Sequence, residues 1–352
     1  MKTIEDVFDP ARNSLNAIRL LLAATVIVSH SWLVNGMGLP PMVGGTDPGL
    51  VAVAGFFAIS GYLVTSSRLR ASSLRSYLWR RFLRIYPAFI TALVVVAFVF
   101  APLSALIDPS SQVNWGSAGL YVLSNAGLFL RQVTVEHTLI NNAFPFVWNV
   151  PLWTLFYEAG WYLFVGVLVS FMPRRLLNLA WIALLAICTT LSLIFHLWPG
   201  FIVFPILDNM ASLGSFFCAG ALLFAYRTRI PSSPLIAAIA VVLAVLLCSL
   251  GVFKPLAAVA VAYLVFYAGS HLPFTGVGRR NDISYGMYIY GFPIQQLLIL
   301  VLGGAALPLW LFALSSVAAT VPLAWLSWLA VEKPALRMRR RGRRTHSIRA
   351  AP

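Results

Sequence analysis

From residue 15 to residue 331 the chain is a succession of long apolar runs, separated by short stretches that carry arginines, glycines or prolines. An α-helix needs about 20 apolar residues to cross the hydrocarbon core of a bilayer, and inside lipid it satisfies its own backbone hydrogen bonds. Ten runs fit this pattern, over about 15–35, 49–67, 81–105, 149–171, 177–196, 206–226, 234–252, 255–271, 283–303 and 307–331. With 60% hydrophobic and only 10% charged residues, against roughly 25% charged in a soluble domain, the chain cannot cover a globule with polar surface. A soluble enzyme, a disordered chain and a disulfide-held secreted scaffold are excluded. The expected fold is an all-α polytopic membrane protein with about ten transmembrane helices.

A net charge of +15 on a soluble chain would suggest a nucleic-acid partner. Here none is expected, because the basic residues cluster between apolar runs as the positive-inside rule requires. Ten crossings put both termini on one face. Of the 25 Lys and Arg residues, 21 fall on that face, only Arg131 and Lys254 on the other, and Arg19 and Arg84 within helix ends. Both termini are therefore expected in the cytoplasm. Residues 1–14 form a cytoplasmic N-terminal segment, 15–336 the membrane domain, and 337–352 a basic cytoplasmic tail that meets anionic lipid. The long connection 106–148 is expected on the outer surface or re-entrant, since its semi-apolar part, 115–130, holds glycines and several polar residues. No small-residue cleavage site closes the first apolar run, so it is expected to stay as the first membrane helix. Cys188, Cys218 and Cys248 each lie within an apolar run; no metal site or disulfide framework follows from them.

Ionisable side chains in membrane spans are costly and usually face a cavity. The first helix holds Arg19 and His30. At 100° per residue the eleven-residue interval ends about 20° past three full turns, so both project from one face, about 16–17 Å apart along the axis. The third helix opens with Arg80-Arg81-Phe82-Leu83-Arg84-Ile85-Tyr86-Pro87, where Arg81 and Arg84 share a face. Snorkelling explains Arg80 and Arg81 well and the deeper Arg84 less well. Glu158 lies about nine residues into the fourth helix, roughly 13 Å deep. A His30–Glu158 pair would fix the imidazole tautomer; the plainer alternative is a Glu158 satisfied by a tyrosine or by backbone groups. Arginine forks suit phosphate. A cationic mouth of Arg19, Arg81 and Arg84 facing the cytoplasm, with an acid–base pair nearer the outside, suits an elongated phosphate-headed donor such as acyl-CoA.

At these residues the chain resembles the acyltransferase-3 family, integral membrane O-acyltransferases that decorate bacterial surface glycans. The resemblance runs from about residue 14 to residue 337. It rests on Arg19 followed by Val28-Ser29-His30-Ser31, on Phe56-Phe57-Ala58-Ile59-Ser60-Gly61-Tyr62-Leu63, and on the basic entry of the third helix. Trp153-Thr154-Leu155-Phe156-Tyr157-Glu158, Ile283-Ser284-Tyr285-Gly286-Met287-Tyr288-Ile289-Tyr290 and the closing Val331-Glu332-Lys333-Pro334 extend it. The resemblance implies a cytoplasmic acyl-CoA (acetyl-CoA) co-substrate with no bound cofactor, a glycan or glycolipid acceptor, and a place in the bacterial inner membrane. It implies His30 as the catalytic residue and Arg81 and Arg84, with Arg19, as donor-binding. Glu158 would orient the site or balance its charge, and Ser60, Trp153, Thr154, Tyr157, Ser284 and Tyr285 would line the cavity. Asn16, Ala54 and Ala159 depart from acids common in the family, so Glu158 has no neighbouring acid. The sequence ends soon after the last expected helix, and acceptor handover is expected to use this core or another protein.

The same polar residues are open to a second use, a proton-coupled transporter with His30, Glu158 and Arg84 as an intramembrane relay, although no repeated halves are visible. A third is a glycosyltransferase using Asp47, an acid that in the Gly/Pro-rich loop 36–49 is more commonly a turn residue. Glu136 and His137 in the outer connection could touch an acceptor. His196 and His271 stand near helix ends. Trp32, Trp148, Trp161 and Trp198 suit interfacial anchoring, with Trp148 and Trp153 able to stack on a sugar.

Overall fold

The structure, a computed structural model, describes residues 1–201, 205–302 and 307–338. The expected basic tail lies outside them beyond Met338. Among the described residues there is no strand, and the helices are α1 Ile4–Val7, α2 Leu15–Val34, α3 Pro48–Leu69, α4 Leu74–Val95, α5 Ala101–Ile107, α6 Trp115–Asn125 and α7 Trp153–Phe171. Then follow α8 Arg174–Leu197, α9 Pro205–Ala225, α10 Pro234–Ser249, α11 Phe253–Leu256, α12 Ala258–His271, α13 Ser284–Val301 and α14 Leu309–Ser327. A π-helical turn, Val96–Phe100, joins α4 to α5, and another, Trp328–Glu332, extends α14.

A helix stands on each of the ten expected stretches. Seven are long and apolar enough to cross a membrane by length and composition: α2, α3, α4 through α5, α7, α8, α9 and α14 with its extension. α10 and α12 are apolar but shorter. In α13, three tyrosines and the pair Gln295-Gln296 dilute an otherwise apolar sequence.

Two helix starts differ from expectation. α4 begins at Leu74 rather than near 81, because Ser73 Oγ accepts the Ser76 N–H at 3.2 Å and so starts the helix earlier. Arg80, Arg81 and Arg84 thus lie inside the helix rather than at its entry. α7 begins at Trp153 rather than near 149. The residues before it bond elsewhere: Asn149 Nδ2 donates to Ile289 O at 2.8 Å, and Pro151 O accepts from Tyr288 OH at 2.9 Å. Glu158 is therefore about 7.5 Å from its helix start, not 13 Å.

The chain divides into two compact units. The first comprises residues 1–22, 41–77 and 157–280. Its closest helix crossing is α3 on α9. A Cβ on Gly61 would lie 1.9 Å from Phe217 O, and one on Gly220 would lie 2.0 Å from Ala58 O. Small residues let membrane helices approach backbone to backbone, which is why a glycine follows Ser60. Gly61→Ala should force the helices apart and lower stability by roughly 1–3 kcal/mol, read as a fall in detergent-solubilised unfolding temperature; an unchanged temperature would refute the crossing. The N-terminal segment docks on this unit. Thr3 and Asp6 form a capping box, the Ile4 N–H donates to Ile230 O at 2.9 Å, and Phe8 packs edge-on against Tyr62 and Phe266. Trp161, expected at the interface, is 4% exposed and stacked on Phe217. It is a core residue, because the glycine at 214 leaves room for its ring.

The second unit comprises residues 23–40, 78–156 and 281–352. Here α6, with eleven residues, is too short to span a bilayer. Amide side chains tie the connection down. Asn142 Nδ2 donates to Gln296 Oε1 at 2.8 Å, and Gln296 Nε2 donates to Phe144 O and Val147 O at 2.8 and 2.7 Å. Trp148 is fully buried, its Nε1 donating to Thr138 Oγ1 at 2.9 Å. It can neither anchor at the interface nor stack on a sugar, because its indole N–H found a partner inside the fold. Near the start of the connection, Asp108 accepts hydrogen bonds from Ser110, Ser111 and Asn141. Led by the Ser110 hydroxyl, these hold its carboxyl below the usual carboxylate range. The tether therefore contributes above the unfolded-state value of about 3.9 and is lost as pH falls through the lower folded value. Asp108→Asn, which mimics the protonated carboxyl, should speed proteolysis near Asn141 at neutral pH; an unchanged cleavage rate would contradict this.

Candidate active site

His30 stands in α2, half-buried. Its Nδ1 lies 2.7 Å from Val26 O. A carbonyl can only accept, so Nδ1 carries the hydrogen, which in the neutral ring puts the lone pair on Nε2. The ring meets Phe292 of α13 edge to face at 5.3 Å. Around it the backbone is clamped: Gln295, fully buried, donates from Nε2 to Ile27 O and to Ser31 Oγ, both at 2.8 Å. A Cβ on Gly291 would lie 2.5 Å from Ile27 Cγ1, so α13 approaches this turn of α2 closely. Sequence reasoning missed Gln295. The signal for it was a pair of amides in an apolar span, which needs partners inside the bundle.

Arg81 and Arg84 are three apart on α4, as expected. Arg84 Nη2 forms an ion pair with Asp282 Oδ2 at 2.8 Å, the two side chains 19% and 12% exposed. The other Asp282 oxygen accepts from Ser284 Oγ at 2.6 Å and from its N–H at 3.3 Å. Tyr285 OH donates to Ile85 O at 2.9 Å. Arg84 and Ser284 thus meet on Asp282, an acid that sequence reasoning missed, and Tyr285 bonds to the α4 backbone one residue beyond Arg84. Asp282 follows Arg279-Arg280-Asn281, and only its position before α13 marked it as a capping acid. Its neighbour Asn281 accepts from Trp328 Nε1 and Lys333 Nζ at 3.0 and 3.3 Å. The closing Val331-Glu332-Lys333-Pro334 motif thereby holds the loop that supplies Asp282. Thr154 Oγ1 and Tyr288 OH bond to each other at 2.5 Å, both buried.

In the first unit, Ser60 Oγ and Tyr162 OH both donate to Glu158 Oε1, at 2.7 and 2.5 Å. Tyr162 is four residues along α7 from Glu158, the spacing that sets two side chains on one helix face. Tyr77 OH donates to Tyr162 O at 2.8 Å and carries the buried Arg68 over its ring. Arg68, counted from sequence only as a surface cation, bonds to Ser170 Oγ at 2.6 Å and serves the fold. Tyr157 is buried and accepts from Asn209 Nδ2 at 3.3 Å. Arg19 lies near the start of α2, on the same unbroken helix as His30. Trp153 opens α7, half-buried.

Asp47 caps α3, its Oδ1 accepting the Leu50 N–H at 3.1 Å. Glu136 accepts from Asn114 at 2.7 Å, and His137 adopts a left-handed φ of 62°. Leu128, Leu139 and Phe146 in the same connection are also left-handed, a costly conformation for residues with a side chain.

The sequence model of the acyltransferase-3 family, described as an acyltransferase domain, matches residues 12–329. The chain belongs to this acyltransferase family. It is 28% identical over 330 residues to an O-acetyl transferase of Shigella phage Sf6, covering 91% of this chain and 95% of that one. It is 29% identical over 356 residues to nodulation protein 10 of Rhizobium leguminosarum bv. viciae, covering 93% and 94%. An uncharacterized protein of Haemophilus influenzae matches 28% of the chain at 29% identity. No solved structure matches. This acyltransferase-3 member is a multi-pass membrane O-acyltransferase. Membership decides against the transporter and the glycosyltransferase, and with them against a glycosyl-transfer role for Asp47.

Proposed function

We propose that the enzyme carries an acyl group, acetyl in the simplest case, from cytoplasmic acyl-CoA to a hydroxyl of a surface or exported glycan or glycolipid. In this reading it crosses the bacterial inner membrane ten times with both termini in the cytoplasm, where 21 of its 25 cations face. His30 is the base. The observation that supports this is its Nδ1–H bond to Val26 O, which in the neutral ring leaves Nε2 as the basic nitrogen, in a turn that Gln295 braces. Nε2 takes the acceptor's hydroxyl proton as that oxygen attacks the thioester carbonyl. The C–S bond then breaks, and the imidazolium returns the proton to the CoA thiolate. In the alternative order Nε2 attacks the thioester carbonyl first, the C–S bond breaks and CoA leaves as the thiolate; the acceptor oxygen then takes the acyl group from the imidazole, and its proton goes to the thiolate.

Arg84, with Arg81 and Arg19, binds the phosphates of CoA, which guanidinium forks suit. Asp282 holds Arg84 in place for that task. Glu158, positioned by Ser60 and Tyr162, orients the site or balances the imidazolium charge. Ser60, Trp153, Thr154, Tyr157, Ser284 and Tyr285 keep the cavity-lining role that the family resemblance implies. The anionic lipid of the inner leaflet meets the basic tail. The test is release of free CoA by purified protein from acetyl-CoA and a polysaccharide acceptor, with no ion gradient. Acceptor-dependent release is expected; a protein that releases none would sink the proposal. Tyr162→Phe removes one of the two hydrogen bonds to Glu158 Oε1. It should slow transfer by roughly three- to tenfold, since such a bond is worth about 0.5–1.5 kcal/mol. An unchanged rate would remove Glu158 positioning from the mechanism.

A further inference from the structure

The first unit holds a cleft of about 350 Å³ where α3, the start of α8 and the end of α9 meet. Small-molecule sites begin at about this size. Thr65 forms part of one wall, Arg174, Asn178 and Trp181 another, and Phe224 and Arg227 a third. None of these residues is used in the acyl-transfer site.

Three features of the cleft favour an anion. α8 starts at Arg174, which lines the cleft, after Pro173, which provides no side-chain cap; the positive end of a 24-residue helix thus borders the cleft, with the Leu176 N–H already donated to Pro173 O at 2.9 Å. Two guanidinium groups stand on the walls, those of Arg174 and Arg227. Thr65 is 1% exposed, and its Oγ1 has no hydrogen-bond partner among the described residues. A buried hydroxyl without a partner is costly, and a ligand oxygen would accept from it. The indole of Trp181 and the ring of Phe224 add apolar wall, which a bare inorganic anion would not use.

Arg227 is already placed. Its Nη1 donates to Phe224 O at 2.8 Å, its Cζ lies 4.4 Å over the Phe224 ring, and its Nη2 and Nε both reach Glu5 Oε1 at 3.1 Å. The Glu5 side chain is 45% exposed, and such surface pairs are weak. Glu5 comes from α1, whose backbone docks on the segment after α9: the Glu5 N–H donates to Arg227 O at 3.2 Å. A carboxylate thus occupies the guanidinium until a stronger anion takes it.

We infer that this cleft binds a phosphate ester, the phosphate on Arg174, Arg227, Thr65 and the α8 N-terminus, its organic body against Trp181 and Phe224, with Glu5 as the competing internal anion. The ester is carried by a nucleotide or by a phospholipid headgroup; the recognition chemistry is the same. Binding is independent of acyl transfer and of His30.

Calorimetric titration of the purified full-length protein in an uncharged detergent tests this, with adenosine 3′,5′-bisphosphate, dihexanoyl phosphatidylglycerol and inorganic phosphate as separate probes. At least one ester should bind more tightly than inorganic phosphate. Its affinity should fall roughly tenfold or more in Arg174→Gln, since a charge-assisted hydrogen bond is lost, and severalfold in Thr65→Val. In Glu5→Gln it should rise severalfold, a gain that a merely damaged fold cannot produce. Preference for the nucleotide or for the lipid identifies the source, and either upholds the site. No saturable binding by either ester, inorganic phosphate binding as tightly as both, or affinities unmoved by Arg174→Gln and Glu5→Gln would overturn it. His30→Ala should bind like wild type, which separates failure here from failure of the acyl-transfer proposal.

Discussion

His30→Ala should abolish acyl transfer while the protein remains folded in the membrane. A positioned general base is worth roughly 10²–10⁴ in rate, and an acyl-imidazole route would lose more, because the nucleophile itself disappears. The structural cost is small by comparison. The imidazole spends one hydrogen bond on Val26 O within its own helix, worth about 1 kcal/mol, and Gln295 still braces Ile27 and Ser31 when the ring is gone. Product formation and thermal unfolding in detergent should therefore separate cleanly, the first lost and the second nearly unchanged. Transfer at the wild-type rate in this variant would remove the mechanism. His30→Gln makes the sharper comparison. It keeps polar volume at the site without a basic nitrogen, and it should be as inactive as the alanine variant.

In the same unit, Arg84→Lys and Asp282→Ala should fail differently. Lysine keeps the charge beside Asp282 but loses the planar fork that matches a phosphate. Acyl-CoA affinity should drop roughly tenfold or more, the cost of one charge-assisted hydrogen bond, with unfolding temperature nearly held. Removing Asp282 breaks this ion pair and takes both hydrogen bonds from Ser284. Breaking a fully buried pair costs about 3–5 kcal/mol. Here both side chains keep some solvent, so about 2–3 kcal/mol is expected. Undiminished acyl-CoA binding in Arg84→Lys would count against the donor role and leave Arg84 as a structural partner of Asp282.

The all-helical fold, with its seven helices long and apolar enough to cross a membrane, was legible because lipid leaves an apolar run few alternatives. Helix starts were not, because they depend on single polar contacts. Ser73 starts α4 early by accepting the Ser76 N–H, and Asn149 and Pro151 are diverted to α13, which delays α7. Neither contact has a periodic signature. The tryptophans show the same limit. Trp148 and Trp161 have the composition of interface anchors, yet Thr138 and the Gly214 gap take them inside.

Taken alone, the sequence determined the class of molecule, the charge asymmetry, the candidates His30, Arg84 and Glu158, and the motifs that pointed to an acyltransferase. These follow from local rules: apolar length, helical spacing and the cost of charge in lipid. Only the tertiary structure decided what holds those candidates: Asp282 on Arg84, Ser60 and Tyr162 on Glu158, Gln295 beside His30. Each partnership except Tyr162 joins residues about a hundred or more positions apart. A hydrogen bond has no sequence period; it is set by which helix faces meet, as where Gly61 lies on Phe217 and Gly220 on Ala58 in the crossing beside Ser60.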